Sequence, residues 1–137
     1  MIRVLVVDDH AMVRAGLQQL LSSTSDIEVV GLAANGAEAV ELAAEVRPDV
    51  VLMDVRMPEV DGFDVIAHAQ HSQPDIAVLV MTGFGTVETA IRALRQGVDG
   101  LLLKPFEKSE ELLTSVRQAL ADKQNKRDAA RIQTLRP

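Results

Sequence analysis

Asp8 and Asp9 follow the apolar run IRVLVV, and Asp54 follows VVLM. Thr82 follows IAVLVM, and Lys104 follows LLL directly before Pro105. Short apolar runs separated by helical patterns read as buried parallel strands. In an open α/β sheet the ligand site lies beyond the carboxyl ends of the strands. These carboxylates, the hydroxyl and the ammonium should therefore converge on one edge of one sheet.

That set suits Mg²⁺ and a phosphoryl group. Mg²⁺ takes oxygen ligands in octahedral array and is usually held by one or two carboxylates plus a phosphoryl oxygen and water. Asp9 and Asp54 would supply carboxylates from neighbouring strand ends, with Asp8 close by. Without a cation the acids would repel, and some would hold protons. With a cation, an ionised Asp54 is a competent nucleophile that forms an acyl phosphate. The migrating group spreads charge over three equatorial oxygens. The cation can hold one, Lys104 a second, and Thr82 with nearby backbone N–H groups a third.

The elements that must position these residues can be read along the chain. Residues 2–7, 27–32, 49–53, 76–81 and 99–103 are the strands. Helices fall at about 10–22, 36–46, up to about 72, from Val87 to Gly97, and from about 107. Val13, Leu17, Leu20 and Leu21 mark the first helix, and Val87, Ala90, Ile91 and Leu94 the apolar side of the fourth. MPEVDG and GFGT read as loops, the glycines of the second freeing it to move. Five β-α units with short right-handed crossovers give an α/β fold, a doubly wound parallel sheet with helices on both faces. The last fifteen residues, KQNKRDAARIQTLRP, are basic and poor in apolar side chains. They read as a helix extension or linker tail over 123–137. The stop at Pro137, just after this stretch, hints at a piece of a longer protein.

Composition removes several classes. The chain has 137 residues, 47% hydrophobic and 25% charged, which is an ordinary globular balance. A net charge of −6 argues against nucleic-acid binding by this domain. The absence of cysteine excludes disulfides and thiolate metal sites. No apolar run reaches the roughly 20 residues of a membrane span, so a cytoplasmic protein is expected. His10, His68 and His71 lack metal-ligand spacing with one another and read as solvated or partly packed.

The order VLVVDDH, VVLMDVRMPEVDG, VMTG and LLLKPF resembles the receiver (REC) domain of two-component response regulators, the CheY-like superfamily, over about residues 2–121. The resemblance implies a flavodoxin-like, five-stranded sheet of order 2-1-3-4-5 with five helices and a receiver domain over 1–122. It implies Asp54 as phosphoacceptor and Asp8 and Asp9 as the acidic pair, Asp9 being the more direct Mg²⁺ ligand. The backbone carbonyl of Arg56 would complete the metal site. Thr82 would be the switch hydroxyl and Lys104 the phosphate-binding lysine, with a cis peptide to Pro105. The family usually carries Tyr, Phe or His three positions before that lysine. Here Leu101 stands there, and it is expected to stay packed.

The implied function is a phosphorylation-activated switch, loaded from a sensor histidine kinase or phosphotransfer protein. It would act on an output domain or effector, with a homodimer through helix four, strand five and helix five as one form. Such a domain catalyses only its own phosphotransfer and slow autodephosphorylation. DDHAMVRAGL resembles regulators with a LuxR-type output, whereas MTGFGTVETAIRALRQG and KPF resemble NtrC- or FixJ-type receivers. A pseudo-receiver that only binds partners is one alternative. A Mg²⁺-dependent aspartyl phosphohydrolase is another, disfavoured because Arg56 stands where such enzymes commonly need an acid.

Overall fold

The computed structural model describes residues 1–57, 60–83, 87–104 and 109–135, with side chains described for 1–56, 61–83, 87–104 and 109–130. In chain order the elements are β1 (Ile2–Val7), α1 (Ala11–Leu21), β2 (Ile27–Ala33), α2 (Gly36–Val46), β3 (Val50–Asp54), β4 (Arg56–Met57), β5 (Val60–Asp61), α3 (Gly62–Ser72), β6 (Ala77–Thr82), α4 (Val87–Gln96), β7 (Gly100–Leu103) and α5 (Ser109–Leu135). The main sheet has order β2-β1-β3-β6-β7 and is parallel throughout. Counting its five strands alone, this is the order 2-1-3-4-5.

The strands are continuous apolar runs because both faces of the sheet are covered. Alternate residues point to opposite faces. Leu5, Val7, Val51, Met53, Val78 and Val80 join Ala39 and Ala43 of α2, Phe63 and Ile66 of α3, and Ala93 of α4. Val4, Val6, Leu52, Leu79 and Met81 join Leu17 and Leu21 of α1 and Leu112 and Val116 of α5. Helices therefore cover both faces, α1 and α5 on one and α2, α3 and α4 on the other.

Two backbone details hold the site end in place. Gly62 opens α3 against β3's exit: a Cβ there would lie 2.5 Å from Val55 Cα, and its N–H donates to Val55 O at 3.3 Å. Asp61, the N-cap of α3, accepts from Phe63 N. Its other oxygen accepts from Arg92 of α4 at 2.7 Å, and that guanidinium lies 4.4 Å from the Phe63 ring centre.

Three expectations need correction. The loop expected at MPEVDG contains a short antiparallel ladder, Arg56 opposite Asp61 and Met57 opposite Val60. The apolar side of α4 faces solvent: Val87 is 77% exposed, Ile91 43% and Leu94 79%, while Ala93 is the buried residue. An apolar stripe shows that a helix has a side to cover, and here no described element of the chain covers it. Leu101, expected to be packed, is 38% exposed on the edge strand, and Leu103 is 50% exposed. The basic tail prolongs α5 as far as Leu135. Lys126 ties that extension to the body through Asp99 Oδ1 at 2.9 Å. Gly97, at φ +70°, ends α4 as expected. Among the described residues no helix is long and apolar enough to cross a membrane.

Candidate functional site

Four of the expected site residues sit where a strand runs out. Asp54 is the last residue of β3 and Thr82 the last of β6, while Asp8 and Lys104 directly follow β1 and β7. β1, β3, β6 and β7 are consecutive neighbours in the sheet, so their carboxyl ends lie side by side. The Lys104 N–H donates to Thr82 O at 2.9 Å, which ties the exit of β7 to the end of β6.

Lys104 gathers the acids. Its Nζ donates to Asp8 Oδ2 at 2.6 Å and to Asp54 Oδ2 at 3.1 Å. The remaining oxygens meet backbone: Asp8 Oδ1 accepts from His10 N and Asp54 Oδ1 from Arg56 N, each at 2.9 Å. Arg14 of α1 donates to Asp8 O at 2.6 Å and fixes the turn from the other side. Asp8 and Thr82 are fully buried and Asp54 nearly so.

Burial would raise the Asp8 carboxyl, but the hydrogen bonds from Lys104 and the His10 N–H carry it below its ordinary value. At Asp54 burial dominates and lifts the carboxyl above its ordinary value, against the pull of the Arg56 N–H and Lys104. Burial would lower the Lys104 ammonium, but its bonds to Asp8 and Asp54 raise it. The same pocket thus pushes its two lysine-bound carboxyls in opposite directions.

The residues fit a divalent cation. Asp9 Oδ1 is buried and, among the described residues, has no hydrogen-bond partner. With all groups ionised, three carboxylates and one ammonium leave two negative charges. Asp8, Asp9, His10 and Asp54 each offer a ligand atom, and these atoms all lie within 4.8 Å of one another. His10 is the member that reading the sequence missed. Its Nδ1 is 3.0 Å from Asp9 Oδ1 and 3.3 Å from Asp8 Oδ1. The signal was its place next to the acidic pair, not its spacing from other histidines. Leu101 stands apart from this group on the sheet edge. Pro105 lies outside the described residues, as do Phe84, Gly85 and Thr86 of the expected mobile loop.

A family model described as the response regulator receiver domain matches residues 4–117. The chain belongs to that family. It is 47% identical over 103 residues to the response regulator protein VraR of Staphylococcus aureus, covering 75% of this chain and 49% of that protein. The chain therefore spans about half the length of the curated relatives it matches. Among solved structures, the response regulator domain of Thermotoga maritima CheB superposes with a TM-score of 0.81 at 37% identity, covering 88% of this chain and 97% of that one. A LuxR-family two-component response regulator from Aurantimonas sp. SI85-9A1 gives 0.83 at 30% identity, over 88% and 86% of the two chains. The receiver domain is a signalling domain of two-component systems.

Proposed function

We propose that this receiver domain accepts a phosphoryl group on Asp54 from a phosphohistidine of a sensor histidine kinase or phosphotransfer protein, with Mg²⁺ as cofactor. One observation carries the reading: Lys104 holds two buried carboxylates at the strand ends while a buried Asp9 oxygen accepts no hydrogen bond from the described residues. Asp8, Asp9 and Asp54, with the Arg56 carbonyl, would hold the cation. Mg²⁺ supplies charge neutralisation that keeps Asp54 ionised and offsets the phosphoryl charge.

An Asp54 carboxylate oxygen attacks phosphorus. The P–O bond forms as the donor's P–N bond breaks, and the electron pair returns to the imidazole nitrogen. Lys104 needs only a short swing from Asp54 Oδ2 to a phosphoryl oxygen. Thr82, at the end of the next strand, then turns its hydroxyl to another. Because Lys104 N is bonded to Thr82 O, movement at either strand end is felt by the other. The change of state is a population shift that alters the α4–β7–α5 face.

That face is where a second copy would dock. Val87, Ile91, Leu94, Leu101 and Leu103 are exposed there. Arg95 on α4 and Glu110 and Glu111 at the start of α5 supply opposite charges. A two-fold pairing covers such a patch with its own copy. The regulated partner is an output domain or effector, and the relatives' greater length supports an output domain in the same protein. The acidic surface suits a domain that leaves nucleic acid to its output. The site of action is the cytoplasm.

The test is exposure to acetyl phosphate with Mg²⁺, followed by intact-mass measurement. One phosphoryl group should appear and persist, and Asp54→Asn should abolish it. No modification would support a pseudo-receiver, and donor turnover without a lasting adduct would support a hydrolase.

A further inference from the structure

We infer that His10 is an additional ligand of the cation site and gives it a preference for first-row transition ions over Mg²⁺. This rests on the metal reading above. His10 is the N-cap of α1, yet its side chain makes no capping hydrogen bond. The ring turns instead toward the acids, with Nδ1 3.0 Å from Asp9 Oδ1 and 3.3 Å from Asp8 Oδ1. The first of these oxygens is the buried one that lacks a hydrogen-bond partner among the described residues. Adjacent ligands on an octahedral ion with bonds of about 2.1 Å sit about 3.0 Å apart. Asp9 Oδ1 and His10 Nδ1 already have that spacing.

The donor set decides which ion profits. Carboxylate and carbonyl oxygens suit Mg²⁺, whereas imidazole nitrogen suits nickel, copper, iron and zinc. A site of oxygens alone gains on going from Mg²⁺ to Ni²⁺ only what carboxylates supply. One imidazole adds a term that Mg²⁺ hardly uses. His10 is largely exposed, so its ring can move by the fraction of an ångström that ligation requires. Its backbone N–H, which bonds Asp8, remains when the ring is removed.

The experiment is equilibrium dialysis of the full chain against MgCl₂ and, separately, NiCl₂, with metal analysis. All forms carry His68→Ala and His71→Ala, so that the two exposed imidazoles of α3 bind no nickel. His10→Ala should lower Ni²⁺ affinity about tenfold or more while changing Mg²⁺ affinity by less than about twofold. His10→Gln, which keeps a polar side chain, should behave like His10→Ala. Asp9→Asn should weaken both ions. If His10→Ala lowers neither ion, or both equally, the inference fails while the acidic site stands. Tight Ni²⁺ binding that survives Asp9→Asn would put the metal elsewhere and overturn it. Absence of Mg²⁺ binding in the His10 form would instead overturn the metal reading beneath it.

Discussion

Replacing Lys104 by Met keeps the length of the side chain and removes its charge. The ammonium lies 2.6 Å from Asp8 Oδ2 and 3.1 Å from Asp54 Oδ2. At an effective dielectric of about 20 these contacts are worth roughly 6 and 5 kcal/mol of Coulomb energy. Desolvation of each ion, several kcal/mol, offsets most of that sum. Removing one partner of a buried ion pair costs about 3–5 kcal/mol. The lower end applies here, because Lys104 is 21% exposed and Asp54, already raised by burial, can take up a proton. We expect a loss of about 3 kcal/mol near neutral pH in the absence of divalent metal.

The pH dependence has a definite sign. In the wild type Asp8 titrates below its ordinary value of 3.8, so its contribution is complete above that value and is lost as pH falls through the lowered one. Asp54 is raised already in the wild type, so both proteins lose stability as that carboxyl ionises; without Lys104 burial raises both carboxyls further, and the folded variant binds protons more tightly still. Its stability then declines as pH rises through those raised values. The gap between the two proteins should widen as pH rises from the acid range to neutrality. Mg²⁺ should narrow it by replacing the missing positive charge. The assay is urea unfolding followed by circular dichroism, since the chain has no Trp or Tyr. A gap below about 1 kcal/mol at the higher pH, or one that shrinks as pH rises, would refute the reasoning.

Asp9→Ala should weaken Mg²⁺ binding about tenfold, and more than Asp8→Ala does, because the Asp8 oxygens are already bonded to Lys104 and His10 N; equilibrium dialysis showing the opposite order would reverse the assignment. Gly62→Ala should destabilise by about 2–3 kcal/mol, since its Cβ would lie 2.5 Å from Val55 Cα, and an unchanged urea midpoint would contradict that contact. Leu94→Glu should leave folding intact, Leu94 being 79% exposed, and hold the phosphorylated or beryllofluoride-treated protein monomeric in sedimentation; a dimer that persists would move the interface off α4.

The strands, the helices on both faces and the placement of Asp8, Asp54, Thr82 and Lys104 were legible in the sequence. A strand buried on both faces must be apolar along its length, so the first polar residue after it marks where the sheet ends. The loop at MPEVDG was misread because a ladder of two residue pairs leaves no periodicity to detect. The outward face of α4 was also beyond reach. Val87, Ile91 and Leu94 have the spacing of a core face, and whether an apolar face is covered depends on which elements reach it. Burial of Ala93 instead of that stripe was decided by the way α4 meets α3, where Arg92 spans to Asp61 and Phe63.

Sequence by itself determined the fold class and which side chains stand at the strand ends, because both follow from local pattern and side-chain type. Only the tertiary structure decided how the groups meet. Lys104 reaches Asp8 across 96 residues of chain and Asp54 across 50, and no local signal encodes which oxygens it takes. That choice leaves Asp9 Oδ1 without a hydrogen bond from any described residue, sets the largely exposed His10 ring beside the acids, and drives the Asp8 and Asp54 carboxyls in opposite directions. A charge acquires its energy from its surroundings, and those surroundings exist only when the strand ends have been brought together.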